Sequence, residues 1–288
     1  MPAWDCINGL GAAAESSGES PCGGGAWRCG AHADPRLCIR TVPSGTERLR
    51  RQHRTIRLDE DSYLIQNGLE SDAGPGDCER RLRTWLFTAA QIDRVLNGAA
   101  LPVFREHVRL KTGGVGARLR AIEVAVQAGN AVPGWLDEQF VLLLQSLLRA
   151  EGELDECARR INCVKAVTRQ ELLRRVLLAT DFINSHYELP LRLEDIAQAA
   201  LLSRFHLVRL FRQVLGVTPH AYLLDRRLSA ARRLLTHCDS DLNQIAIHSG
   251  FGNRWSLFRR LQAQHGAGGQ ALRETRGAPR PCAGGASA

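Results

Sequence analysis

Two segments fifty residues apart carry the side chains best suited to holding an anion. Ser203-Arg204-Phe205-His206-Leu207-Val208-Arg209 aligns with Asn253-Arg254-Trp255-Ser256-Leu257-Phe258-Arg259, and the aromatic pair Phe205 and Trp255 falls in register. Gly216 and Gly266 continue the match, as do Ala221 and Ala271. An arginine is permanently charged, and its planar fork bonds two acceptors at once. At helical spacing Arg204, His206 and Arg209 share the exposed side with Phe205 and Val208 alongside, while Leu207, Leu210 and Phe211 point inward. Catalytic constellations are missing. There is no G-x-S-x-G, no H-E-x-x-H and no phosphate loop, and Gly113-Gly114-x-Gly116 lacks a preceding strand and the spacing of a nucleotide motif. Nine cysteines contain no C-x-x-C. The set Cys22, Cys29 and Cys38, with His32 nearby, has the wrong spacing for zinc, and reduced cytosolic thiols are the expectation. His186, His220, His237 and His248 show no metal spacing either. The chain reads as a non-enzyme without cofactor or metal.

The elements that must position the arginines follow from the same repeat. Ser203 and Asn253 are N-cap residues, each able to satisfy an orphan backbone amide. A short Ile-Ala-containing helix precedes each, at 194–200 and 242–248, and Gly250 supplies the positive φ that a sharp turn between helices needs. Short helix, turn, longer basic helix is the helix-turn-helix pattern. Residues 220–236 join the two units as one helix of roughly 25 Å, at about 1.5 Å per residue. With its turns, that helix suits two reading helices set about 34 Å apart, one turn of B-DNA. Charge agrees with this. Residues 181–276 carry 13 Arg against 8 acidic residues, out of a whole-chain net charge of +8. Such a local excess points to an anionic partner.

These residues resemble the AraC/XylS-type transcription regulators. The match runs through Ile196-Ala197, Ala200, Ser203, Leu207, Arg209-Leu210-Phe211, Gly216-Val217-Thr218-Pro219, Tyr222-Leu223, Arg227-Leu228, Ala231, Leu234-Leu235, Ile245-Ala246, Gly250-Phe251 and Arg259, over about residues 170–273. The resemblance implies that Phe205, His206, Val208 and Arg209 approach base edges, with Arg209 on guanine O6 and N7. It places Arg212 on phosphate and leaves Arg254, Ser256 and Arg259 either anchoring the backbone or reading bases. Arg227 is expected to make an internal salt bridge or a helix-end bond, and Arg232 and Arg233 a solvated face. Implied partners are double-stranded DNA, RNA polymerase and a small-molecule effector, in the cytoplasm and away from membrane. Two departures stand out. Arg192 occupies the place of a Thr or Ser before the first short helix, and 265–273 lacks the family's Pro and aromatic anchor. The second unit is therefore expected to be looser and to meet phosphates rather than bases.

Upstream, residues 1–34 are Gly, Ala and Ser rich and read as disordered. Strand-like runs follow at 37–42, 54–58, 62–66 and 82–88, broken by a Gly/Pro/Asp loop at 72–77. Helical spacing sets in from Ala117. The broad apolar face of 135–150 suits either burial or a second copy of the chain. Thr168-Arg169-Gln170-Glu171 fits a capping box. The longest apolar run, 140–148, is far short of the roughly 20 residues that span a bilayer. The N-terminus carries no secretory signal pattern. The fold class expected is mainly α: a C-terminal all-α double helix-turn-helix domain at 168–276 (units at about 191–217 and 241–266), with a small β-rich, reduced cupin-like and helical N-terminal domain. The latter comprises a sensor at 35–125 and a helical linker or dimerisation region at 126–167, and a flexible tail occupies 277–288. The function expected is sequence-specific DNA binding that regulates transcription, under control of an effector or of dimerisation. Two alternatives are an interaction protein with a decayed second unit, and a DNA repair methyltransferase with a related module.

Overall fold

The structure, a computed structural model, describes residues 37–51, 54–68, 82–237 and 240–265. The expected disordered N-terminus, the 72–77 loop, Cys22, Cys29, His32, the 266–273 departures and the tail lie outside them. The chain divides into two compact units, 1–156 and 157–288.

In the first unit, β1 (Cys38–Thr41), β4 (Ser62–Gln66), β5 (Arg83–Leu86) and β6 (Val108–Leu110) form an antiparallel sheet in the order β5-β1-β4-β6. A separate hairpin pairs β2 (Thr46–Arg51) with β3 (Arg54–Asp59). Period-two alternation gives the sheet two apolar faces. Leu64 and Val108 meet Leu49, Ile56 and Leu58 of the hairpin. Ile39, Tyr63, Ile65 and Trp85 meet the helices α1 (Ala89–Leu96), α2 (Gly113–Gln127) and α3 (Pro133–Arg159). The face of 135–150 is closed within this unit: Leu136, Phe140, Leu143, Leu144 and Leu147 are at most 1% exposed. It offers no surface to a second copy, which corrects the reason for expecting a dimer through it.

Two further readings change. A strand, β6, does precede Gly113-Gly114-x-Gly116, with a turn between. The last glycine has a packing role, because a Cβ on Gly116 would lie 2.1 Å from the Lys111 carbonyl carbon. The capping box forms at Thr88 and Gln91 instead of Thr168 and Glu171. Thr88 Oγ1 accepts from the Gln91 amide at 3.2 Å, and Gln91 Oε1 accepts from the Thr88 amide at 3.0 Å. α4 (Ala166–His186) begins two residues before Thr168, so Lys165 and not Thr168 holds the capping position, and Glu171 takes hydrogen bonds from Arg174 and Arg175.

The N-terminal half also holds a buried charge network. Lys111 Nζ donates to both carboxylate oxygens of Glu123, at 2.7 and 2.8 Å. Glu151 of α3 receives Arg105 at 2.7 Å and also Arg109, and Arg105 reaches Asp155 as well. These pairs bolt α3 to the β6 edge of the sheet. Burial pushes the Tyr63 phenol beside Arg109 up to about 12, against the opposing pull of that guanidinium. The folded state therefore holds the phenolic proton more tightly than the unfolded chain does. Its stabilising contribution is complete below about pH 10 and is lost as the pH rises through about 12. Urea unfolding between pH 9 and 12 should show this fall, and Tyr63→Phe should flatten it. An unchanged slope in that variant would assign the alkaline loss elsewhere.

Among its described residues the second unit holds only helices: α4, α5 (Leu193–Ala199), α6 (Arg204–Leu215), α7 (Pro219–His237), α8 (Leu242–His248) and α9 (Arg254–His265). Gly216, at φ +74°, ends α6, and Thr218-Pro219 restarts the chain, with Thr218 Oγ1 accepting from the Ala221 amide at 3.1 Å. Leu207, Leu210, Phe211 and Val214 bury the inner face of α6. Leu228, Ala231 and Leu235 of α7 pack with Ile245, Ala246, Leu257 and Leu261.

Candidate nucleic-acid interface

Each longer helix is launched by its cap. Ser203 Oγ accepts from the His206 amide at 3.3 Å, and Asn253 Oδ1 accepts from the Ser256 amide at 2.9 Å. Both turns carry a left-handed residue, Leu201 at φ +55° and Gly250 at φ +82°. Counted from the short helices, these positions are 49 apart, whereas the capping residues are 50 apart. The second turn is one residue longer, and Gly252, at φ +74°, absorbs it. At Arg192, where the resemblance implies a hydroxyl, a different device is found: the Arg192 amide donates to the Asp195 carboxylate at 2.8 Å.

With the inner faces buried, the outer faces follow. Arg204, Phe205, His206, Arg209 and Arg212 are exposed on α6, with Val208 half-buried. Arg254 and Arg259 are exposed on α9, with Ser256 half-buried. An open depression on the first helix-turn-helix is lined by Leu193, Arg204, Phe205, Val208, Arg209 and Arg212. Its arginines are not all equivalent. Arg204 Nη1 lies 2.6 Å from Glu194 of α5, and the Glu194 carboxyl is held below its usual range by a hydrogen bond at its own backbone and by this arginine. In the second helix-turn-helix α8 has Asn243 at the corresponding place, and Arg254 lies instead over the Trp255 ring, 5.3 Å from its centroid.

Sequence reasoning passed over Glu194, Trp255 and Phe258. The in-register alignment of Trp255 with Phe205 was the available signal. Arg227 makes the expected helix-end bonds: Nε donates to the Tyr187 carbonyl and Nη2 to that of Leu189, both at 2.7 Å. Both lie just beyond the end of α4, where carbonyls lose their helical partners. Arg226 stands over the Tyr187 ring, 4.5 Å from its centroid. Arg232 and Arg233 are only half exposed, which corrects the expected solvated face.

Comparison with known proteins places this architecture. The family described as "Helix-turn-helix domain" matches residues 196–275. The lactose operon transcription activator of Staphylococcus xylosus is 31% identical over 111 residues, 38% of this chain and 39% of that protein. The transcriptional activator RhaS of Klebsiella pneumoniae (strain 342) is 35% identical over 105 residues, 35% of this chain and 37% of that protein. The chain thus spans less than two fifths of the length of either relative. Both are named as activators of transcription, not as enzymes. Among solved structures, the DNA-binding domain of AdpA in complex with a target DNA is 26% identical, covering 35% of this chain and 90% of that one, with a TM-score of 0.34. The C-terminal unit is a double helix-turn-helix domain. The matched residues fall within the segment that resembles the AraC/XylS-type regulators. No described helix is long and apolar enough to cross a membrane.

Proposed function

We propose that this chain is a sequence-specific DNA-binding regulator of transcription that sets α6 and α9 into successive major grooves. The observation that carries this reading is the pairing of two capped helices, both with inward leucines and outward arginines, across one 19-residue connecting helix. At about 1.5 Å per residue that connector is roughly 28 Å long. Arg209 reads guanine by its paired donors, and Arg204, Arg212, Arg254 and Arg259 meet phosphates. Val208 and His206 face the same groove, and Ser256 sits at the equivalent place on α9. The named activators support an activating role, exercised with RNA polymerase in the cytoplasm. Control by a small effector or by a second copy belongs to the N-terminal unit, which has its own core. A second copy would use a surface other than the closed face of α3.

Titration of the full chain on selected genomic fragments tests this reading. Arg209→Ala should cost about 1–3 kcal/mol and relax the preference at one base pair. Arg259→Ala should weaken binding to all sequences and lower the salt slope by about one. Equal binding of the wild-type chain to every fragment would refute a sequence-specific role.

A further inference from the structure

Each longer helix sets an apolar pair one turn apart on its outer side, the leading ring exposed. On α6 the pair is Phe205 and Val208; on α9 it is Trp255 and Phe258. Phe205 is 86% exposed, Trp255 63% and Phe258 39%. The fold does not need these rings, since Leu207, Leu210 and Phe211 or Leu257 and Leu261 already supply the inner faces. A large exposed aromatic forfeits the stabilisation that burial would bring. Two such rings in register, on the same faces as the arginines, mark a contact surface.

The two units differ in how the arginine before the ring is used. Glu194 draws Arg204 away from Phe205, whereas Asn243 carries no charge and Arg254 lies over the indole. A guanidinium over a tryptophan face is a favourable cation–π arrangement that steadies the ring. α9 is therefore anchored below by Leu257 and Leu261, capped by Asn253, and presents a steadied apolar edge between Arg254 and Arg259. A complementary surface has apolar spots between anionic groups. In the major groove of a duplex the apolar spot is the C5 methyl of thymine, and the anions are the flanking phosphates.

We infer that Trp255, with Phe258 beside it, is a specificity-determining residue whose ring contacts a thymine methyl, so that the second unit reads sequence through apolar contact as well as holding phosphates. This inference rests on the DNA-binding reading above. It departs from the expectation that the second helix is too loose to read bases, because the described part of α9 is capped and packed.

The test uses the full chain and a duplex recovered by selection from genomic fragments. Each thymine is replaced singly by deoxyuridine, which removes the methyl and leaves the hydrogen-bonding edge intact. At one thymine in the half-site away from the Arg209 base pair, wild-type affinity should fall about 4-fold, the value of one buried methyl-sized group. Trp255→Ala should bind the thymine and deoxyuridine duplexes equally there while keeping its dependence on the Arg209 base pair. Trp255→Phe should retain part of the methyl preference. Circular dichroism melting of both variants, matching the wild type, confirms that the fold is kept. If no deoxyuridine in that half-site affects the wild type, or if Trp255→Ala shows the same methyl preference, the inference is overturned and the DNA-binding reading stands. If the wild-type chain selects no fragment, both fall.

Discussion

Glu123→Ala should destabilise the N-terminal unit by about 3–5 kcal/mol, because it strands the Lys111 ammonium in the interior. Lys111 is 4% exposed and Glu123 8%, and the ammonium donates to both carboxylate oxygens. A loss of this size is a large share of the roughly 5–15 kcal/mol that holds a typical domain together. The double variant Lys111→Met/Glu123→Leu should recover most of the stability, since replacing both charges by apolar groups of similar volume leaves nothing unpaired. Urea unfolding of the single and double variants makes the comparison. A single variant within about 1 kcal/mol of wild type would show that the pair is hydrated after all.

Gly250→Ala should cost about 3 kcal/mol in the second unit. Two terms add. The backbone at φ +82° is one that an L side chain adopts at about 1–2 kcal/mol. The new Cβ would also lie 2.4 Å from the Tyr187 carbonyl oxygen and 2.8 Å from Arg227 Nε, in the middle of the hydrogen bond between them. Overpacking of that kind costs about 1–3 kcal/mol. Gly252→Ala is the internal control: φ is +74°, yet nothing lies within 4 Å of an added Cβ. It should lose only the backbone part. Equal losses in the two variants would mean that the turn simply shifts away from Tyr187.

The helix-turn-helix elements were legible because each signal is local: a capping side chain three residues before the amide it serves, a left-handed residue in a turn, an Ile-Ala pair on an inner face. The same locality misled at Thr168. Its T-x-x-E pattern is as good as the T-x-x-Q at Thr88, and what separates them is whether the preceding turn is already helical. The charge network was invisible for the opposite reason. Arg109 and Glu151 are 42 residues apart and Lys111 and Glu123 are 12 apart, so sheet and helix packing alone brings them together. Strands β2 and β6 and the helix α1 escaped notice, the first for its arginines, the second for being three residues long. At the site, the outward arginines could be read from helical spacing. The separate fates of Arg204 and Arg254 could not, because they turn on Glu194 and Asn243 in neighbouring helices.

Tyr187 is touched from three sides: Arg226 over its ring, Arg227 on its carbonyl, and Gly250 pressed close to that same oxygen. The connecting helix and the turn at Gly250 are thereby clamped to one point, so the second of the two longer helices is held to the connector like the jaw of a fixed caliper rather than a bead on a cord. On the DNA-binding reading proposed above, a fixed caliper would make the duplex the compliant partner. A mismatch between the jaw separation and one helical turn would then appear as curvature in the DNA, at about 1–6 kcal/mol for bends of roughly 40–90°. Elastic stiffness at base pairs that no side chain touches then enters the choice of operator.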